Sequence, residues 1–158
     1  MKLRCLIAMA PVAIVAMALV GCSVSTDLEP ETKDSGGPVK AAPLSGTIAG
    51  KAFQGKVAVV TQNTDSADVV ISDRDATCSS QPDAELRVLL HVNNWAPGLS
   101  YNLDFGRSAT FYVKSDNFNA LAVSGRVEVS GSGQTLGVRI NAEQNGSVEG
   151  TVPVVICK

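Results

Sequence analysis

The sequence predicts an all-β fold: an antiparallel β-sandwich of about seven to nine short strands, with a small β-barrel as the second choice. Three observations favour strands over helices. From residue 44 onward apolar residues alternate with polar ones, Gly-, Ser- and Asn-rich turn signals interrupt this alternation regularly, and Val, Ala, Leu and Ile dominate over aromatic residues, which make up 4% of the chain. The 158 residues are enough for one domain with one core.

The clearest strand pattern is ELRVLLHV, residues 85–92. Its alternation predicts an inner face made of Leu86, Val88, Leu90 and Val92. The outer face then holds Arg87, Leu89 and His91. Further strands are predicted earlier and later in the chain, at residues 46–50, 56–62, 68–72, 100–103 and 109–114.

The last forty residues are predicted to form a three-stranded antiparallel meander. LAVSGRVEV, residues 121–129, would direct Leu121, Val123, Val127 and Val129 inward, and TLGVRI, residues 135–140, would do the same with Leu136, Val138 and Ile140. The first connection is SGSG, residues 130–133. The pair Asn145-Gly146 favours a two-residue hairpin turn. Pro153 cannot donate to a strand ladder, which predicts an edge or a bulge in the last strand.

The first 22 residues have the pattern of a secretory signal peptide. MKLR supplies a cationic start, and an uncharged apolar run follows from Cys5 to Val20. A membrane-spanning helix is the alternative on length alone, because the run is near the lower limit for crossing a bilayer. Pro11 in the middle of the run and the abrupt VGC ending favour the signal peptide.

The segment Leu19-Val20-Gly21-Cys22 resembles the lipobox of bacterial lipoproteins, in which an aliphatic residue, a small or apolar residue and Gly or Ala precede a Cys. The resemblance covers only the leader. It implies cleavage before Cys22, palmitate-type acyl chains on the Cys22 thiol, and acylation of the new amino terminus. Since each buried methylene contributes about 0.8 kcal/mol, several chains make a permanent membrane anchor. Ser23, where Asp would retain a Gram-negative lipoprotein in the inner membrane, implies the outer membrane.

This interpretation divides the chain into three parts: a signal peptide at residues 1–21, a lipidated terminus with a flexible linker at 22–43, and the β domain at 44–158. The linker contains Pro, Gly and mixed charges but almost no large apolar side chain, so it cannot bury enough surface to offset its ordering entropy.

The cysteines predict one disulfide. If Cys5 leaves with the leader and Cys22 is lipidated, Cys78 and Cys157 remain, and an exported protein lies in a compartment that permits their oxidation. A metal site made of these two thiols is the weaker alternative, because it lacks His or nearby Cys ligands.

Candidate catalytic and metal-ligating residues are few. His91 is the one histidine, on the predicted outer face, and the sequence lacks the GxSxG, SxxK and HExxH motifs, which favours a solvated surface residue over a catalytic one. Four carboxylates, Asp65, Asp68, Asp73 and Asp75, have the ligand type that Ca²⁺ prefers, but they do not match a twelve-residue calcium loop. The sequence therefore predicts no enzymatic activity, no metal and no cofactor.

The segment HVNNWAPGLSYNLDF contains the best candidate binding surface: Asn93, Asn94, Trp95 and Tyr101. Large aromatic side chains often anchor protein contacts. Trp95 is equally compatible with a role as a cap at the end of the core.

The charge of the chain excludes one class of partner. Its formal net charge is −2, and removal of the leader with Lys2 and Arg4 leaves 11 basic and 15 acidic residues, a net charge of −4. Such a domain is a poor nucleic-acid binder. The predicted partners are the membrane, through the acyl chains, and other envelope proteins. The predicted function is that of a non-enzymatic structural or binding component of an envelope assembly for secretion, adhesion or surface motility. The alternative is a lipoprotein that captures a ligand or inhibits an enzyme through the Asn93–Tyr101 loop.

Overall fold

The computed structural model describes residues 36–79 and 83–158. The signal peptide, Cys22 and the first part of the predicted linker lie outside the described residues. The described part contains eleven strands and one short 3-10 turn, Glu143–Asn145. The strands are β1 (Ser45–Ile48), β2 (Lys51–Gln54), β3 (Val57–Gln62), β4 (Ser66–Ser72), β5 (Leu86–Asn93), β6 (Ser100–Asn102), β7 (Ala109–Val113), β8 (Phe118–Ala122), β9 (Ser124–Val129), β10 (Thr135–Asn141) and β11 (Gly146–Cys157). The all-β prediction is confirmed.

The strands form one hydrogen-bonded sheet that curls as a half-barrel around the main core. Nine strands follow one another in the order β6-β9-β10-β11-β3-β4-β5-β7-β8, and the β1–β2 hairpin joins through β1 to β11. Because the strands form one continuous curled sheet rather than two packed sheets, the fold is closer to the β-barrel, the second choice from the sequence, than to the β-sandwich. Its ladders are antiparallel except for the β11–β3 ladder, which is parallel.

The predicted meander of the last forty residues is confirmed, with β9, β10 and β11 paired antiparallel in sequence order. The predicted two-residue turn at Asn145-Gly146 is wrong. Strand β10 ends at Asn141 and β11 begins at Gly146, so the four residues 142–145 connect the strands. A side chain at Gly146 would collide with β1, since a Cβ there would lie 2.2 Å from the carbonyl oxygen of Thr47.

Strand β11 connects the two halves of the sheet. Its first part pairs with β10 on one side and β1 on the other, while Val154–Cys157 pairs with β3. Pro153 is exposed and occupies the last position paired with β10, immediately before the parallel ladder begins. The missing N–H of proline thus falls where the strand exchanges neighbours, which is the kind of interruption that the sequence predicts.

The predicted strand 121–129 is two strands, β8 and β9, which lie in different parts of the sheet. Buried residues have even numbers in β8 and odd numbers in β9, so the alternation changes phase at Val123. The prediction that Leu121 points inward is therefore wrong, and its side chain is 59% exposed. Val127 and Val129 point inward as predicted.

The main core lies inside the curl. It contains the two largest fully buried side chains, Phe53 and Phe111, and the inner faces that the sequence predicts for β5 and β10. A second, smaller cluster lies on the outer face, where Ala76 packs on Val57 and Val59 beside Val155 and Cys157.

Residues 36–43, which the sequence places in the linker, lie against the sheet. Val39 is 9% exposed and its N–H points to the Glu128 carboxylate at 3.4 Å. Lys40 forms an ion pair of 2.8 Å with Glu149, and the Arg139 guanidinium donates to the carbonyl of Gly37. The packed part of the chain therefore begins before residue 44.

Candidate binding surfaces

Cys78 and Cys157 form a disulfide with a Cα–Cα distance of 5.4 Å. Cys78 belongs to the loop after β4, and Cys157 is the last residue of β11. The bond holds this loop against β11 and β3, where Ala76 covers part of the outer face. The sequence-predicted disulfide is present.

The predicted binding residues of the Asn93–Tyr101 segment separate into two places. Asn94 and Trp95 line a shallow depression of about 190 Å³, together with the turn from Gln62 to Ser66. Asn94 donates its N–H to the carbonyl of Asp65 at 2.9 Å, which fixes the rim of this depression. Trp95 is half-buried and packs on the main core, so it caps the core and also contributes to the depression. Asn93 is exposed at the end of β5.

Tyr101 lies on β6, where its ring packs against the main core. The guanidinium of Arg107 covers the ring, and the Tyr101 hydroxyl is buried without a hydrogen-bond partner among the described residues. Burial raises the pKa of Tyr101 to about 12, because a phenolate would be poorly solvated there. The tyrosine is thus a packed core residue with a neutral hydroxyl.

His91 lies on the outer face of β5, as predicted, and pairs with Asp68 on β4. Its Nδ1 is 2.8 Å from the Asp68 carboxylate, and both side chains are more than half exposed. A cross-strand hydrogen bond in an exposed position accounts for both residues.

The four aspartates considered as calcium ligands are separated by the length of β4. Asp65 and Asp68 lie at its beginning, whereas Asp73 and Asp75 follow its end. Within the described residues, no three His, Cys, Asp or Glu side chains are grouped as a metal site would need.

A row of outward-facing side chains crosses six strands of the sheet, and the sequence analysis does not predict it. The strand registers place its members directly opposite one another in the order Val155, Val59, Val70, Leu89, Thr110 and Leu121. Five of the six are aliphatic. We call this set the outer apolar row. Such a row can be found only when the strand order and register are known, because its members come from six separate segments.

The two ends of the outer apolar row differ. The disulfide-linked loop covers Val155 and Val59, whereas Val70, Leu89 and Thr110 are only half-buried and line an open depression of about 330 Å³. Asp68 and His91 border this depression on one side. On the other side Arg87 lies over the ring of Tyr112, 5.2 Å from its centroid.

A second exposed apolar side chain, Phe105, occupies the turn between β6 and β7 and is 89% exposed. The Asp104 carboxylate accepts hydrogen bonds from the N–H of Gly106 at 2.8 Å and from the Arg107 guanidinium at 2.9 Å. The backbone N–H groups of Asp104 and Arg107 also each donate to the other residue's carbonyl oxygen at 3.2 Å, so side-chain and backbone hydrogen bonds together stabilise this turn.

Within residues 36–79 and 83–158, no helix has the length and apolar character needed to cross a bilayer. No family model matches the chain, and neither a curated protein nor a solved structure shows significant similarity to it.

Proposed function

We propose that this protein is a lipid-anchored, non-enzymatic component of the bacterial cell envelope whose β domain binds another envelope protein. The observation that carries the proposal is the disulfide between Cys78 and Cys157. Disulfides of this kind persist in oxidising compartments such as the periplasm and the cell surface. With these two cysteines paired, Cys22 of the lipobox-like segment is free to carry the acyl chains.

The surface of the domain supports a binding role. Its exposed large apolar side chains in the described residues are Phe105, Leu121 and Ile156. Leu121 continues an aliphatic row, and Phe105 is presented by a turn that its own hydrogen bonds stabilise. An exposed aromatic side chain on a hydrogen-bonded turn can bind a partner at low entropic cost, because the turn loses little backbone freedom on binding.

The role of His91 supports the non-enzymatic part of the proposal. Its ring is paired with Asp68 in an exposed cross-strand position rather than with a nucleophile in a cleft. The hydrogen bond to Asp68 explains the histidine as a surface residue.

The anchor is tested by comparing the full-length protein with its Cys22→Ser variant in a Gram-negative bacterium. We expect the natural chain to fractionate with the outer membrane and to incorporate a labelled fatty acid, and the variant to lose both properties. Cys5→Ser is the matched control and should keep both. Membrane retention and labelling of the Cys22→Ser variant would contradict the anchor.

The binding role is tested by crosslinking in intact cells. We expect a stoichiometric envelope protein to be recovered with the natural chain, in smaller amount with Phe105→Ser. Recovery of this chain alone would contradict a role in a larger assembly.

A second function, capture of a ligand by the Asn93–Tyr101 segment, is favoured by the depression that Asn94 and Trp95 share. Asn94→Gly keeps the backbone conformation accessible and removes the amide, so it should weaken such capture without unfolding the domain. The φ of Asn94 is 54°, a value that glycine adopts readily.

A further inference from the structure

Strand β8 is an edge of the sheet that lacks the usual protection against pairing. Among the described strands it pairs only with β7, in an uninterrupted register from Val113 opposite Phe118 to Ala109 opposite Ala122. Its sequence, FNALA, contains no charged residue and no proline. Natural edge strands are commonly blunted by Lys, Pro, bulges or short length. An edge without these features is a template for another strand.

The other two edges are protected. Strand β2 carries the charged side chain of Lys51. Its Nζ lies 3.0 Å from the Ser115 hydroxyl, to which it donates a hydrogen bond, and 3.0 Å from the Asp116 carboxylate, and both of these residues belong to the β7–β8 turn. Strand β6 has three residues, and its neighbour β9 holds it through hydrogen bonds from Arg126 to the side chains of Ser100 and Asn102. Of these three edge strands, β8 is therefore the one that is most open to pairing with another strand.

The exposed end of the outer apolar row lies on this edge. Leu121 is opposite Thr110, which is followed inward by Leu89 and Val70. A strand added to β8 with an apolar side chain beside Leu121 would extend the row and remove Leu121 from water.

We propose that a second copy of this chain pairs antiparallel with β8 about a two-fold axis at Leu121. This register places Leu121 of each copy opposite Leu121 of the other, so that the two outer apolar rows become one. On the inner face it places Ala120 opposite Ala122 of the second copy, and these small side chains let the edges approach closely. The residues of β8 that pair are therefore Ala120, Leu121 and Ala122 of each copy, and this pairing brings no like charges together.

The neutrality of β8 favours a second copy as the occupant, because two identical charged edges would repel each other. The three paired residues of each copy span about 10 Å, which makes an interface of the transient class. Confinement of both copies to one membrane would raise their local concentration and favour this pairing. This last step rests on the proposed lipid anchor, whereas the choice of strand and register does not.

The test is site-specific crosslinking of the full-length protein in its own membrane. Leu121→Cys and Asn119→Cys each add one thiol to the same face of the same strand, two residues apart. In the proposed register two copies of residue 121 lie directly opposite, within reach of a disulfide, whereas two copies of residue 119 are separated by about 13 Å along the strands. With a mild oxidant we expect at least tenfold more covalent dimer from Leu121→Cys than from Asn119→Cys.

Two outcomes would overturn the proposal: no dimer from Leu121→Cys, or an equal or larger yield from Asn119→Cys. Because Leu121 is largely exposed, both variants should unfold at the temperature of the natural chain, which confirms that a negative result is not misfolding. Leu121→Lys should reduce chemically crosslinked dimer at least tenfold, and Thr61→Lys, which adds the same charge at an exposed position of β3, should leave it unchanged.

Two separate readouts distinguish this proposal from the anchor. In the Leu121→Cys variant with Cys22 intact, acyl labelling reports on the anchor and the disulfide between the two copies of residue 121 reports on the pairing. A Leu121→Cys chain that is unlabelled but still gives the dimer would contradict the anchor and support the pairing. A labelled chain that gives no dimer would support the anchor and overturn the pairing.

Discussion

The guanidinium of Arg107 lies over the ring of Tyr101, 5.4 Å from its centroid, while the hydroxyl of the same tyrosine is buried without a partner among the described residues. The contact between the ring and Arg107 therefore stabilises the domain, whereas burial of the hydroxyl destabilises it because the hydroxyl has lost its hydrogen bonds to water.

Tyr101→Phe should stabilise the domain. Removal of a buried hydroxyl that makes no hydrogen bond should raise the free energy of unfolding by about 1 kcal/mol, and the ring contact with Arg107 is kept. Urea unfolding at pH 7 measures the change. Tyr112→Phe, on a half-exposed ring beneath Arg87, is the control and should have little effect. A loss of stability in Tyr101→Phe would show that the hydroxyl makes a stabilising hydrogen bond.

The same tyrosine predicts a loss of stability at alkaline pH. Its pKa is raised to about 12 in the folded domain from 10 in the unfolded chain, so the hydroxyl stays protonated to a higher pH in the folded state than in the unfolded state. Stability from this group is complete below pH 10 and falls as the pH rises from about 10 to 12. Tyr101→Phe should show a smaller decrease over this range, as measured by urea unfolding at several pH values. An identical decrease in both proteins would contradict the prediction.

Reduction of the disulfide should destabilise the domain strongly. Cys78 and Cys157 are 79 residues apart, and a loop of this length stabilises by about 4 kcal/mol in the chain-entropy model. The measurement is urea unfolding with and without reductant. The double variant Cys78→Ser, Cys157→Ser should match the reduced natural chain and should not respond to reductant. Equal stability of the oxidised and reduced chains would contradict the prediction.

Gly146→Ala should be among the most damaging glycine substitutions. Gly146 has a φ of 119°, and a Cβ would lie 2.2 Å from the carbonyl oxygen of Thr47, so β1 would have to move away from β11. We expect a loss of at least about 2 kcal/mol in thermal or urea unfolding. Gly131→Ala is the control, because a Cβ there meets nothing within 4 Å, and it should change stability by less than about 0.5 kcal/mol.

Lys51→Met should make the stability of the domain less dependent on pH in the acid range. Hydrogen bonds from Ser115 and then from Lys51 lower the pKa of Asp116, and those from Ser115 and Lys51 also lower the pKa of Glu85. Stability from these carboxylates is present above their unfolded pKa values and is lost as the pH falls. Lys51→Met should be less stable than the natural chain at pH 7, and its free energy of unfolding, measured by urea unfolding at several pH values, should decrease less as the pH falls. Lys56→Met, at an exposed lysine, should not change the acid profile.

The sequence predicts those features of the fold that depend on one segment at a time. The inner face of β5, from Leu86 to Val92, follows from strict alternation, and the Cys78–Cys157 bond follows from counting cysteines. Leu121 is predicted on the wrong face because the chain changes from one part of the sheet to another at Val123, and the alternation does not carry across that bend.

The candidate surfaces were less accessible to prediction. The sequence indicates Trp95 and Tyr101 as aromatic candidates, but both rings pack on the core, and a composition cannot tell a core aromatic from a contact aromatic. The outer apolar row combines residues as distant as Val59 and Leu121, and only the registers of five ladders bring them into line.

Strand β11 also constrains when the domain can be completed. Its twelve residues follow those of the other ten described strands, and among the described strands β11 alone links β10 to β3. In a chain that emerges amino end first, from a ribosome or across a membrane, the ladders on either side of β11 can therefore form as two separate halves before β11 joins them.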